Sequence, residues 1–580
     1  MQKMIINDRQ VEFEEGKTIL EVARSIGVEI PTLCALKDDV CNLGRCGICV
    51  VEVEGMKMLP RACIIKAKDG MVVNTQSEAT IAKRNEMLQN TLDTHEFKCG
   101  PCSRRLNCEL LDISKQFKIF PKKKFETNDR QALIDDRSES LVIDRAKCIK
   151  CNRCVSACKV RTTTESIVFE KNEAGERIIS PKGGKCFDHL GCLLCGQCLI
   201  ACPVNCLQEK SHIDKVKEAL ADESKHVIVA MAPAARTSMG ELFGMGYGVD
   251  TTGKLYSAFR KLGFDKVFDM NFGADMTIME ETTEFLKRVD NNGPFPMMTS
   301  CCPSWVRLVE NHHPEFINNL SSAKSPQQEF GAASKTYYPK LVGLNPKDIF
   351  TVTIMPCISK KYEASRDEME SDGIRDIDAV LTVRELASLI KAEKIDFVNL
   401  EDGISDPAMG EYTGAGAIFG ATGGVMEAAL RTAKDFVERK DLENIEYKAL
   451  RGTADIKEAI VNIGNIDYKI AVINGASSFF KFVQEGKMNE GYHFIEVMSC
   501  TGGCVNGGGQ PHVKAKDREK MDIRKIRASV LYNQDLKKLP KRKSHQNKSL
   551  QKMYVNFMGV PGGELAEKLL HTSYIDRKNK

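Results

Sequence analysis

Three apolar runs in the C-terminal half each lead into cysteine. Phe295 to Met298 precedes Thr299-Ser300-Cys301-Cys302-Pro303, Ile349 to Ile354 precedes Met355-Pro356-Cys357, and Tyr492 to Val497 precedes Met498-Ser499-Cys500-Thr501-Gly502-Gly503-Cys504. Such runs predict buried strands. His226 to Ala232 and Tyr468 to Asn474 read the same way and alternate with amphipathic helices, so residues 211 to about 535 read as a large α/β domain. Open α/β sheets build their sites at strand ends, which is where these cysteines fall. In the N-terminal region, Lys3 to Ile6 and Val11 to Glu14 predict two short strands. A helix follows, with a capping box at Thr18 and Glu21 and a stop at Gly27. A last helix is expected around Ser549 to Phe557, after the basic Lys541-Arg542-Lys543. The glycine-rich stretch Gly414 to Gly424 is not G-x-G-x-x-G and predicts close backbone packing rather than a nucleotide site.

Composition narrows the class. A chain of 580 residues suggests about four domains. A net charge of +4 implies no nucleic-acid partner. The opening MQKMIINDRQ has no apolar signal segment, and no apolar run is long enough to span a membrane, so a cytoplasmic protein without a membrane partner is expected. Of the 23 cysteines, 18 lie between Cys34 and Cys206. In a chain of this kind that density favours metal ligation over disulfides.

The cysteine spacings divide the N-terminal part. Residues 1–80 hold Cys34, Cys46, Cys49 and Cys63, near the plant-type 2Fe–2S arrangement with a longer first gap; Cys41 is surplus, and zinc is the alternative. Residues 81–125 hold His95, Cys99, Cys102 and Cys108, a set that suits zinc or a 4Fe–4S cube, with the cube favoured by its neighbours. The charged stretch 110–145 reads as a solvated connection. Within 126–210, Cys148-x2-Cys151-x2-Cys154-x3-Cys158 and Cys192-x2-Cys195-x2-Cys198-x3-Cys202-Pro203 make a two-cluster 4Fe–4S ferredoxin pattern. The fourth cysteine of each such run ligates the other cluster, giving Cys148, Cys151, Cys154 and Cys202 for one and Cys192, Cys195, Cys198 and Cys158 for the other. Cys186 and Cys206 fall outside the pattern and read as structural. Residues 211–580 form the remaining domain, so the whole is an α+β multidomain chain.

Cys302, Cys357, Cys500 and Cys504 can hold a further cube or another metal centre. Cys301 is a spare thiol able to exchange protons. Lys360 can donate to an anionic ligand of the metal, and Met355 and Met498 can pack against one.

The segments TSCCPSW (299–305), MPCISKK (355–361) and MSCTGGCVNGGGQP (498–511) resemble the three signature motifs of the iron-iron (FeFe) hydrogenases. The domain order resembles the long monomeric clostridial type, with an N-terminal β-grasp 2Fe–2S domain. The resemblance implies an H-cluster: a 4Fe–4S cube joined to a two-iron unit with CO, cyanide and azadithiolate. One 2Fe–2S and three further 4Fe–4S clusters would serve it. It further implies that Cys302, Cys357 and Cys500 hold the cube, with Cys504 completing it and also bridging to the two-iron unit. Cys301 would be the proton donor and Lys360 the donor to cyanide. Glu281, Ser321, Glu284 and Arg288 match the family's proton pathway, although Glu281 and Glu284, three apart, otherwise read as a solvated helix face. Implied partners are H2 and protons as substrates, ferredoxin or flavodoxin as electron carrier, and maturation proteins. Ser304, Ser499, Thr501 and Ala234 depart from the family pattern, at positions that can alter hydrogen bonding to the cluster. The rival readings, a hydrogen sensor, an electron-transfer subunit and an iron–sulfur assembly protein, fit less well: the relay cysteine and the 2Fe–2S domain are present together with the four C-terminal cysteines.

Overall fold

The computed structural model describes residues 1–36, 44–441 and 445–578. The surplus Cys41 lies outside these residues.

Two four-stranded sheets frame the C-terminal half. The first runs Lys266–Asp269, His226–Met231, Ile349–Met355, Ala379–Thr382, all parallel. The second runs Met297–Met298, Phe494–Met498, Ile466–Asn474, Ile456–Ile463, with only the last strand antiparallel. All three cysteine-bearing runs therefore end parallel strands. The first is shorter than its apolar run, because Pro294 and Pro296 have no N–H to give a ladder.

Helix Met270–Asp290 is buried almost all round, with 14 buried residues including Glu280 and Glu281. Its start is fixed by Asp269, whose carboxylate accepts from the Asn271 N–H at 2.9 Å and from Arg236 at 2.8 Å. It packs against helices Pro326–Val342 and Gly424–Glu438. The glycine-rich stretch packs closely, as expected: an added Cβ at Gly416 would stand 2.6 Å from the Asn271 carbonyl. The helix expected at Ser549 to Phe557 is Lys548–Met553, followed by the wider turn Tyr554–Met558, and a further helix, Glu564–Leu570, comes after it.

At the other end, strands Arg9–Phe13, Gln2–Ile6, Val72–Asn74 and Glu52–Val53 form a mixed sheet in that order. Helix Ile19–Ser25 has the Thr18–Glu21 capping box, and Gly27 sits at φ +76°. Helix Glu78–Asp93 then leads to His95. The stretch 110–145 is more than a connection. It includes most of helix Glu109–Phe117, and Arg130 donates to both Glu96 and Asp144 at 2.8 Å, tying the stretch back onto the fold. Helices Arg153–Thr162 and Gln197–Ala201 each follow a residue at positive φ, Asn152 at +72° and Gly196 at +71°. Leu141–Asp144 pairs with Leu207–Glu209, closing this segment on itself. No helix among the described residues is long and apolar enough to cross a membrane.

Candidate metal centre

The ends of the two sheets bring four thiols together. Cys302 precedes helix Pro303–His312, Cys357 follows Ile349–Met355, and Cys500 and Cys504 follow Phe494–Met498. Burial, and then the neighbouring Cys195, Cys357, Cys302 and Cys504, push the Cys500 thiol well up. Cys504 is raised by burial and then by Cys302 and Cys357. Cys357 and Cys500 are buried and Cys302 and Cys504 half-buried, a set of neighbouring soft ligands that suits a metal centre. They are neighbours without closing on one point: among the described residues no three His, Cys, Asp or Glu converge on a single ion.

The surroundings fit a bulky polynuclear group. An added Cβ would meet the Pro356 carbonyl at 2.4 Å from Gly507 and the Cys195 carbonyl at 2.4 Å from Gly508, so this loop approaches its neighbours as only glycine can. The Ser304 and Ser499 hydroxyls are buried without a partner among the described residues. Both are positions singled out in the sequence. Ala234 is fully buried, and its carbonyl accepts from Gln510 Nε2 at 2.9 Å. Met355 and Met498, 3% and 2% exposed, close the strand ends to water.

Cys301 stands between this set and the carboxylates. Its thiol is raised by burial, then by Glu281, Cys302 and Cys504. Glu281 is fully buried, not on a solvated face. Its Oε1 accepts from the Ser300 N–H at 3.3 Å, while Oε2 is unpartnered among the described residues. Burial pushes its carboxyl up to about 8. Glu284 accepts from the Ser321 hydroxyl at 2.7 Å and from Arg288 at 2.6 Å. Ser321, Glu284 and Arg288 thus form one network, with no direct hydrogen bond from Ser321 to Glu281 among the described residues.

Lys360 is buried and donates to Glu363 at 2.9 and 3.0 Å and to the Cys301 carbonyl at 3.2 Å. Sequence reading missed Glu363, which also accepts from Ser325 at 2.9 Å and Gln327 at 3.0 Å. The i,i+3 spacing from Lys360 was the available signal.

The remaining cysteines gather in groups. Cys34 lies beside Cys46 and Cys63, and the Cys49 and Cys63 sulfurs are 3.3 Å apart. His95, Cys99, Cys102 and Cys108 line one cavity. His95 Nδ1 is 3.0 Å from the Lys147 carbonyl, which can only accept, so Nε2 is left with the lone pair a metal needs. Cys154 neighbours Cys151, Cys148 and Cys202 and, with the least influence, Cys198, which itself neighbours Cys158, Cys195 and Cys192. Cys206 lies against Cys148. Arg104, buried near both Cys202 and Cys108, donates to the Cys202 carbonyl at 2.9 Å. Gln197 Nε2 donates to the Cys500 sulfur at 3.3 Å. These contacts link the His95 set to the ferredoxin runs through Arg104, and the second ferredoxin run to the C-terminal set through Gln197.

The family described as iron only hydrogenase large subunit, C-terminal domain, matches residues 225–508, and the iron hydrogenase small subunit family matches 521–577. Iron hydrogenase 1 of Clostridium pasteurianum is 60% identical over 575 residues, which cover 99% of this chain and 100% of that protein. The chain belongs to the FeFe hydrogenases.

This hydrogenase is thus an enzyme of H2 catalysis with iron–sulfur domains at its N-terminal end. A 2Fe-2S iron-sulfur cluster binding domain matches residues 3–78. An iron hydrogenase 1-like iron-sulfur centre-binding domain matches 83–118, and a 4Fe-4S dicluster domain matches 147–206. The periplasmic [Fe] hydrogenase large subunit of Nitratidesulfovibrio vulgaris is 46% identical, covering 65% of this hydrogenase and 87% of its own length. A variant of the apo [FeFe]-hydrogenase HydA1 from Chlamydomonas reinhardtii is 36% identical with a TM-score of 0.57, covering 63% of this chain and 100% of its own. Protein NAR1 of Arabidopsis thaliana is 30% identical across 63% of this chain and 81% of its own.

Proposed function

We propose that this hydrogenase reversibly reduces protons to H2 with electrons from a low-potential carrier such as ferredoxin or flavodoxin. The observation that carries the reading is the position of Cys301, a buried thiol next to both Glu281 and the four-cysteine set. Cys302, Cys357 and Cys500 would hold the cube of an H-cluster, with Cys504 bridging to its two-iron unit. When bound, that group supplies the reversible heterolysis of H2 and the exchange of electrons. Insertion of the two-iron unit would need separate maturation proteins.

The chain's own residues do the rest. Cys301 receives a proton from the interior and presents it to the centre. Glu281 is protonated near neutral pH because burial disfavours its charge. Ser321, Glu284 and Arg288 form the outer end, where the Arg288 guanidinium offsets the Glu284 charge. Glu363 orients the Lys360 ammonium beside the Cys301 carbonyl. Met355 and Met498 exclude water.

We assign residues 1–80 to a β-grasp 2Fe–2S domain held by Cys34, Cys46, Cys49 and Cys63. Residues 81–125 would hold a cube on His95, Cys99, Cys102 and Cys108, 126–210 two further cubes, and 211–580 the H-cluster. The thiol adjacencies support this crossed pairing of the two ferredoxin runs. With every site filled, the chain carries about 20 irons. The cysteine content suits a reducing compartment, here taken as the cytoplasm. An infrared spectrum of the matured enzyme should show bands of metal-bound CO and cyanide. Their absence from protein that turns over H2 would refute the cofactor assignment.

A further inference from the structure

Helices Met270–Asp290 and Pro326–Val342 cross with Gly273 against the Pro326 carbonyl, which an added Cβ would approach to 2.4 Å. Polar atoms lie near this crossing that the relay leaves unexplained. Glu329 is fully buried, and both its carboxyl oxygens lack a hydrogen-bond partner among the described residues. The Thr277 hydroxyl beside it does not reach hydrogen-bond geometry and is likewise unpartnered, as is Glu281 Oε2.

A carboxylate left in this way takes up a proton instead. The charged neighbours agree. Glu280, on the facing helix, is well supplied with hydrogen bonds: it accepts from the Tyr554 hydroxyl, from the Gly562 N–H at 2.7 Å and from His571 at 3.1 Å. Lys324, the nearby ammonium, is held by Asp376 at 2.9 Å. Two neighbouring carboxyls thus differ in surroundings: Glu280 has three hydrogen-bond partners, and Glu329 has none among the described residues. Burial, followed by Glu280 and Glu281, raises the Glu329 carboxyl well above its ordinary range.

We propose that Glu329 is a proton-holding residue that exchanges with Glu281 through ordered water near Thr277, as a side branch of the proton relay. The branch rests on the relay reading given above. The Thr277 hydroxyl, Glu281 Oε2 and the Glu329 oxygens together supply the two to four polar partners that a buried water needs. When Glu281 has given its proton to Cys301, the O–H bond at Glu329 breaks and one forms at Glu281. Glu329 is left as the carboxylate until a proton arriving by way of Glu284 restores it. No electrons move in this exchange.

The test uses full-length matured enzyme carrying Glu329→Gln, Glu329→Asp or Glu281→Gln. At about pH 8 the parent should show an infrared band of a protonated buried carboxyl that shifts in D2O and is missing from Glu329→Gln. Glu329→Gln should slow turnover about tenfold with its CO and cyanide bands unchanged, and Glu329→Asp should restore part of the rate. No difference in the carboxyl band, or parental turnover and pH profile in Glu329→Gln, would overturn the proposal. If Glu281→Gln is inactive while Glu329→Gln runs at the parental rate, the branch alone is removed. If Glu281→Gln itself runs at that rate, the relay fails and the branch with it.

Discussion

The side-chain nitrogen of Gln197 lies 3.3 Å from the sulfur of Cys500, so an amide from the second ferredoxin run donates directly into the C-terminal cysteine set. Gln197 also donates to the Asn506 carbonyl at 2.9 Å, and Arg161 donates to its Oε1 at 2.7 Å, which fixes its orientation. A hydrogen bond to a ligating sulfur stabilises the reduced, more negative cluster. Gln197→Leu should therefore lower the potential of the cube held by Cys500 and slow electron delivery. Redox titration followed by infrared would detect this, and an unchanged midpoint would show that the contact has no electronic role.

Glu281 gives a pH dependence with a definite sign. Its carboxyl is raised from the ordinary 4.5 to about 8, mainly by burial. Between those values the folded chain holds a proton that the unfolded chain releases, so stability falls as pH rises through the window. Glu281→Gln mimics the neutral acid and removes this loss. Its thermal midpoint relative to the parent should climb between about pH 5 and about pH 9. A constant offset across that range would mean that Glu281 is not protonated in the fold.

Ser499 carries a buried hydroxyl with no partner among the described residues. Before cluster insertion, Ser499→Ala should stabilise the chain by about 1 kcal/mol, because an unsatisfied hydroxyl is removed. After maturation the same change should shift the infrared bands, because Ser499 directly precedes Cys500. Bands identical to the parent would place the hydroxyl away from it.

His95→Cys should keep a cluster and lower its potential, because thiolate adds negative charge where a neutral imidazole stood. An electrochemical titration without any shifted midpoint would remove His95 from the ligand set.

Much of this was legible in the sequence, for identifiable reasons. The apolar runs before Cys301, Cys357 and Cys500 announced strand ends, because a buried parallel strand leaves a continuous hydrophobic signature. The two ferredoxin runs were readable from their C-x2-C-x2-C-x3-C spacing, which a 4Fe-4S dicluster domain matches over residues 147–206. Glu281 was less legible from local pattern alone: i,i+3 carboxylates read as a wet face, and only the packing of Met270–Asp290 between other helices buries Glu281 and half-buries Glu284. Glu329 and Glu280 left no motif at all, since their roles come from a helix crossing between segments about fifty residues apart. The stretch 110–145 is solvated at Lys122 to Lys124 and at Asp136 and Arg137, as its composition implied, but composition did not show its ties to the fold. Its charges include Arg130, whose partners Glu96 and Asp144 lie on either side of it in sequence.

The relay is tested most directly by turnover and infrared measured together on Cys301→Ala and Cys302→Ala. In the proposed function Cys301 belongs to the proton path, whereas Cys302 belongs to the ligand set. Cys301→Ala should keep its CO and cyanide bands while turnover falls by orders of magnitude, about 10²-fold or more, since no other group spans the gap from Glu281. Cys301→Asp should keep the bands and recover part of the rate, because a carboxyl also exchanges protons. Cys302→Ala should lose or weaken the bands themselves. Parental turnover in Cys301→Ala with its bands intact would contradict the proton-relay role, and the thiol between Glu281 and the cysteine set would then be packing alone.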